Sequence, residues 1–238
     1  MVPKTVTSLQ HPIVKHLVKL RKERLYRDEK GFLLLEGKKM ILEFQGEIET
    51  LITTEETSIP AKNRYVVPPE VIKKIADTSS PEPYLAEVPL PPPAPLEGKR
   101  LIALDRINDP GNLGTLLRTA LALGFEGVFL LSCADPFSPK ALRAAKGATF
   151  HLPIRQGSEE ELLSLMSNRH IYVADAQGME NTTFTTPLIL VLGSEAHGPS
   201  PALKSQGTLI SIPMSDKAES LNVAVAGGIL MHKMGESR

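Results

Sequence analysis

Tryptophan is absent from this 238-residue chain, and phenylalanine and tyrosine bring the aromatic share to only 5%. A surface that stacks successive single-stranded bases on aromatic rings is therefore not expected. Cysteine occurs once, as Cys133, which excludes a disulfide framework and a cysteine-based zinc site and suits a reducing compartment. Net charge is also missing: 27 Lys and Arg balance 27 Asp and Glu, which argues against a polyanion binder built from the whole chain. The longest nearly apolar run, Leu221 to Met231, is too short to span a bilayer, and no signal-peptide core opens the sequence. The expectation is a cytoplasmic protein without a membrane segment. Neither a Gly-x-Gly-x-x-Gly fingerprint nor a Walker-type Gly-Lys-Ser/Thr loop occurs, which disfavours a nicotinamide-dependent oxidoreductase.

What is present is unevenly spread. Apolar residues make up 42%, enough for a real core. Residues 1–40 hold ten Lys or Arg against four acids, a surplus of six that the other 198 residues cancel. From Ile13 to Tyr26, apolar residues alternate with cations at helical spacing, and Gly31 stops the pattern. Such a basic amphipathic helix is either a solvated face or a nucleic-acid-facing end. Short strands are expected at Phe32–Leu35, Ile48–Thr53, Arg64–Val67 and Leu85–Val88, with helices from Lys38 and over Pro69–Ala76. Five prolines then fall within Pro89–Gly98 and favour extended geometry. The domain reading is 1–90, a linker at 91–98, and 99–238.

After the linker, strands read at Arg100–Leu104, Gly127–Leu131, Thr149–Pro153, Ile171–Ala174, Leu188–Leu192 and Leu209–Pro213. Helices read at Leu113–Leu123, Pro139–Ala145, Ser158–Ser167 and Leu221–Met234. Alternating elements with continuous apolar strands mean an α/β fold with a mostly parallel sheet covered on both faces.

Three strand-to-loop exits carry polar or small residues. Leu104 to Arg118 contains Asp105, Asn112 placed near a helix cap, and Arg118 among leucines. Arg118 there is either a polar stripe or a site residue. Leu190 to Pro199 is an apolar strand opening into a loop bracketed by Gly193 and Gly198; Gly193 permits close backbone approach. Glu195 at that exit is placed to hold a hydroxyl or a cation, and His197 has no Cys or His at metal spacing, so no metal is expected. Ile210 to Met214, a polar loop, and then a helix opening at Asn222 form the third exit.

Asn112-x-Gly114-x-x-x-Arg118, Leu192-Gly193-Ser194-Glu195-x-x-Gly198, and Ile212-Pro213-Met214 with Ser220-Leu221-Asn222-Val223-Ala224 resemble, in order, the three motifs of the SpoU-type RNA 2′-O-ribose methyltransferases of the SPOUT superfamily. Arg143-Ala144-Ala145-x-Gly147-Ala148 resembles the helix between them, and the match covers roughly 99–235. His11 to Lys15 and Phe32 to Gly37 are similar to the ribosomal-protein-like substrate-binding domain that precedes many members. Ala196, Pro199 and Asp216 depart from the usual motif residues.

The resemblance implies a SPOUT-type parallel sheet with a C-terminal trefoil knot, S-adenosylmethionine as cofactor, a homodimer, and methyl transfer to a ribose 2′-hydroxyl. It implies that Leu192, Gly193, Gly198, Ile212, Met214 and Leu221 hold the cofactor, and that Arg118, Asn112, Glu195, Ser220 and Asn222 surround the hydroxyl. RNA phosphates would meet Lys15, Lys19, Arg21, Lys22, Arg24, Arg27 and Lys38. Ribosomal RNA is the expected partner by analogy. The alternatives are a transfer-RNA 2′-O-methyltransferase and a non-catalytic RNA- or ribosome-binding protein of the same fold.

Overall fold

Strands without charge in their middles order the C-terminal half. A computed structural model of the chain describes residues 3–236 except 77, 79, 181, 195 and 216. It divides into two units, Met1–Pro92 with Phe137–Arg143, and Pro93–Pro136 with Ala144–Arg238.

The second unit is built on six strands: β6 (Arg100–Asp105), β7 (Gly127–Leu131), β8 (Ile154–Gly157), β9 (His170–Met179), β10 (Leu188–Gly193) and β11 (Thr208–Ile210). They lie in the order β11-β9-β10-β6-β7-β8, and every described pairing is parallel. Successive strand residues serve opposite faces. Ile102, Leu104, Val128, Leu130, Leu190 and Leu192 join one core, and Leu101, Ala103, Phe129, Ile189 and Val191 join the other. Burial on both faces is why these strands read as unbroken apolar runs. Helix α5 (Pro110–Ala122) packs on α9 (Val223–Glu236) over the first face, while α7 (Glu159–Met166) and α8 (Pro201–Lys204) supply Leu162 and Leu203 to the second.

Several expected boundaries move, each for a local reason. Ala148–Phe150 is a short 3₁₀ turn following Gly147 at φ +86°, not a strand. The strand begins only after Pro153, which accepts from the Val128 N–H and has no N–H to give back. Helix α5 starts at Pro110, not Leu113, because Asp109 caps it by accepting from the Asn112 N–H at 2.9 Å. Asn112 therefore lies within the first turn rather than at the cap. Strand β11 stops at Ile210; beyond it the Ser211 N–H still donates to Met179 O at 3.0 Å and its hydroxyl to Gly178 O at 2.8 Å, and Pro213 then has no N–H to offer.

The N-terminal unit holds a mixed sheet, β1-β4-β3-β5-β2, of β1 (Lys4–Thr5), β4 (Asn63–Val66), β3 (Thr50–Thr53), β5 (Tyr84–Pro89) and β2 (Phe32–Glu36). The single basic helix expected over residues 13–26 is two: α1 (Pro12–Lys22) and α2 (Arg24–Lys30), broken at Glu23 and ended by Gly31 at φ +70°. Val14, Leu17 and Leu20 of α1 meet Val71, Ile72 and Ile75 of α4 (Pro69–Ile75) in one core. Buried Glu87 on β5 is answered by His16 of α1, Nε2 to Oε1 at 2.7 Å, and the His16 Nδ1 meets the Tyr26 hydroxyl at 2.9 Å.

Candidate active site

The C-terminal ends of β9, β10 and β11 open into one cleft of about 420 Å³, on the face covered by α9. Strand ends of an open parallel sheet are where such folds bind ligands, and the volume suits a small molecule. Leu192, Gly193 and Gly198 from the second motif, and Ile212, Met214 and Leu221 from the third, all line it, together with Ser220. Two motifs that together span Leu192 to Leu221 thus share a single hollow.

Much of one wall is backbone. At Gly193 the space a Cβ would need is taken by the backbone of Gly198 and Pro199. The glycine is required there because the loop folds back on its own start, bridging Ser194 to Gly198. Gly198 sits at φ +64° and its N–H donates to Ser194 O at 2.8 Å, so this turn too favours glycine. The tight backbone wall, with small and aliphatic residues beside a few charged ones, fits a flat, multifunctional cofactor held largely by main-chain groups.

The first and third motifs meet beside the cleft. Asn222 Nδ2 donates to Asn112 Oδ1 at 3.0 Å, while Asn222 Oδ1 caps α9 by accepting from the Ala224 N–H at 2.9 Å. One amide thereby fixes both the helix start and its partner's orientation. Arg118 lies elsewhere: it is exposed on α5, does not line the cleft, and makes no hydrogen bond or ion pair among the described residues. Glu195 and Asp216 lie outside the described residues.

A charged pair in the cleft went unnoticed in the sequence. Asp175 Oδ2 meets Lys204 Nζ at 2.6 Å, and Asp175 Oδ1 accepts from the Gln177 N–H at 2.9 Å. The lysine first, and then the amide, holds the Asp175 carboxyl below its ordinary range. Asp175 lies where β9 and β11 lose register, and Lys204 comes from the end of α8. Leu209 pairs with Val173 but Ile210 with Met179, so residues 174–178 have no partner on β11 in this ladder. The signal available was the change from Ile-Tyr-Val to Ala-Asp-Ala-Gln-Gly within one strand. Among the described residues, no group of three or more His, Cys, Asp or Glu is placed to hold a metal ion, and no helix is long and apolar enough to cross a membrane.

The expected RNA-facing cations separate on inspection. Lys15, Lys19, Lys22, Arg24 and Lys38 are exposed. Lys19 stands over the Tyr26 ring at 5.4 Å, and Lys38 over the Tyr84 ring at 5.0 Å. Arg27 is not on this surface. It is 3% exposed, and its Nη1 donates to Leu20 O at 2.8 Å and Arg21 O at 3.2 Å, satisfying carbonyls at the end of α1. Arg21 is half-buried and donates to Ile75 O at 2.9 Å and to Ala76 O at the end of α4.

A parallel α/β sheet with a glycine-walled cleft at its strand ends, and two asparagines joined across distant motifs, defines a ligand-binding enzyme scaffold. The model of the SpoU rRNA methylase family matches residues 99–232, and that of the MRM3-like substrate binding domain matches residues 11–86. The chain belongs to the SpoU rRNA methylase family. It is 34% identical to an uncharacterized tRNA/rRNA methyltransferase of Synechocystis sp., over 96% of this chain and 92% of that one. A 23S rRNA (guanosine(2553)-2′-O)-methyltransferase of Bacillus subtilis is 27% identical over 97% of this chain and 99% of its own length. The crystal structure of an AdoMet-bound rRNA methyltransferase from Sinorhizobium meliloti superposes with a TM-score of 0.86 at 30% identity, covering 98% and 97% of the two chains.

Proposed function

We propose that the protein transfers a methyl group from S-adenosylmethionine to a ribose 2′-hydroxyl of ribosomal RNA. The observation that carries this reading is the convergence of all six expected cofactor positions on one cleft, with Asn112 and Asn222 hydrogen-bonded beside it. The backbones of Gly193, Ile212 and Leu221 would hold the cofactor, with Leu192, Gly198 and Met214 enclosing it. When bound, S-adenosylmethionine supplies a methyl group already activated on a sulfonium, so the protein's task is alignment and charge stabilisation. Asn112 and Asn222, each fixing the other, orient the ribose, and Ser220 lies at the cleft's polar edge. A guanidinium does not give up its proton readily, so Arg118 acts by stabilising the oxygen as its proton leaves and by gripping the adjoining phosphate.

Arg118 is exposed outside its own cleft, which supports a homodimer in which a second copy supplies it. Exposed Val225 on α9, the helix packed against α5, suits the same interface. The passage of the chain from β11 at the sheet edge to α9 packed on α5 and β10 is consistent with a trefoil knot over the third motif. Residues 1–90 serve as the RNA substrate-binding domain, 91–98 as a linker, and 99–238 as the transferase domain. A single, partly buried cysteine accords with the cytoplasm.

The test is incubation of the full chain with labelled S-adenosylmethionine and total RNA from cells lacking the protein, followed by mapping of 2′-O-methylated positions. Label confined to a ribosomal RNA position supports the reading. Label on transfer RNA moves the substrate assignment, and cofactor binding without any labelled RNA would identify a non-catalytic binder.

A further inference from the structure

Strand β6 ends on a pair of residues that none of the site assignments uses. Asp105, deeply buried, sits opposite Gly193 in the parallel register of β6 and β10. Its Oδ1 and Oδ2 accept from Nε and Nη2 of the adjacent Arg106, each at 2.9 Å, as a two-pronged fork. Oδ2 also accepts from the Ser200 N–H at 2.8 Å, and Arg106 Nη2 also donates to Gly198 O at 3.2 Å. One residue thus takes a proton donor, and its neighbour a carbonyl, from the same three-residue stretch, Gly198-Pro199-Ser200. That stretch closes over Gly193 and forms part of the cleft wall.

The backbone shows that this arrangement is specified. Arg106 stands at φ +57°, a conformation that side chains other than glycine's seldom adopt. Its N–H is anchored by Leu131 O at 2.8 Å. A strained residue persists where surrounding bonds over-determine it, and here they are the fork, the Gly198 carbonyl and the β7 carbonyl. A free aspartate at a buried strand end would also carry a heavy desolvation cost; the fork and the Ser200 amide offset it.

We infer that Asp105 and Arg106 are positioning residues for the cofactor: they clamp Gly198-Pro199-Ser200 from behind and so set the spacing of the Gly193 and Gly198 backbones. Neither side chain lines the cleft, and both act through the loop. The inference rests on the cleft being the S-adenosylmethionine site. Loss of the clamp loosens a wall that must be in place before binding, and so lowers affinity by the population of the closed loop.

Arg106→Gly removes the fork without backbone strain, because glycine adopts φ +57°. Adding Asp105→Asn removes the buried carboxylate that the single change would strand, so Asp105→Asn/Arg106→Gly is included as a third variant. The full-length wild type, Arg106→Gly, Arg106→Lys and Asp105→Asn/Arg106→Gly are titrated with S-adenosylmethionine by calorimetry, and their thermal unfolding is followed in parallel. The expected result is a cofactor Kd raised about tenfold in Arg106→Gly, the scale of one or two charge-assisted hydrogen bonds. Its unfolding temperature is lowered by the stranded Asp105 carboxylate and recovered in Asp105→Asn/Arg106→Gly, whose affinity stays reduced. Arg106→Lys, which keeps the charge but cannot fork, falls between. Wild-type affinity in Arg106→Gly overturns the clamp. Wild-type affinity restored together with stability in Asp105→Asn/Arg106→Gly overturns it as well, since the role would then be only structural. Failure of the wild type to bind S-adenosylmethionine at all would instead remove the functional reading on which the clamp depends.

Discussion

In the N-terminal unit the arginines at 21 and 27 turn inward while the lysines at 15, 19, 22 and 38 stay out; in the C-terminal unit Arg106 is committed to a carboxylate and Arg118 is left exposed. Three of these arginines are thus committed within the fold, while the four lysines named stay in solvent. A planar guanidinium can serve two carbonyls at a helix end or both oxygens of an aspartate, which an ammonium on a flexible stem does less well. Where a unit needs a helix terminus or a loop held, it uses arginine. A diffuse field of the kind a polyanion meets asks less of geometry, and lysine suffices for it. Arg24 and Arg118 depart from this division, both being exposed, and of the two Arg118 is the one proposed to meet the substrate.

The sharpest way to break the comparison is Arg118→Ala. If the exposed guanidinium acts in the reaction, turnover at saturating cofactor falls about 100-fold or more, the scale of losing one stabilising donor in a transition state. Cofactor affinity by calorimetry should stay at the wild-type value. Turnover within a few-fold of wild type would place Arg118 among ordinary surface residues.

A smaller effect belongs to the lysines. Replacing Lys15, Lys19 and Lys22 together by alanine should weaken RNA binding roughly tenfold near physiological salt. The plot of log affinity against log salt should become shallower by about two, as each lost phosphate contact removes somewhat less than one from the slope. An unchanged slope would mean that α1 faces solvent, not RNA. Arg27→Ala is the matched opposite. It strands the Leu20 and Arg21 carbonyls at the end of α1 and should cost about 1–3 kcal/mol of stability, read by denaturant unfolding. The salt slope should not move. A shallower slope with undiminished stability would return Arg27 to the RNA surface.

The same contrast explains how much could be read before any coordinates. The buried strands of the C-terminal unit were legible because both faces of the sheet are covered, leaving runs such as Leu190-Val191-Leu192 with nothing polar to interrupt them. The six cleft positions were legible through their motifs. What was hidden depended on partners distant in sequence. Nothing near Arg27 says that it will turn to Leu20 O, and the change to Ala-Asp-Ala-Gln-Gly around Asp175 marks a break in pattern without saying that β9 resumes its pairing with β11 at Met179. Strand β1, with two residues, and α8, with four, are too short to show a period. The early start of α5 was available in Asp109-Pro110, a cap followed by a first-turn proline, and was overlooked in favour of the leucine pattern.

The smallest expected effect concerns Cys133, which tests whether the β6–β7 end behind the clamp stays shut. Its thiol is directed at Leu104 O at 3.1 Å and Leu131 O at 3.5 Å, and burial pushes its pKa up to about 11. At pH 8 the thiolate is then on the order of one part in a thousand, so iodoacetamide should label the folded protein negligibly and the denaturant-unfolded chain readily. Because the raised pKa means that the folded state keeps a proton the unfolded state releases, this group's contribution to stability is intact below the ordinary value of 9.0 and is lost as pH rises to about 11. Labelling of native protein at pH 8 as fast as that of the unfolded chain would show that this end opens freely, and a clamp resting on an open strand end could not set the cleft wall.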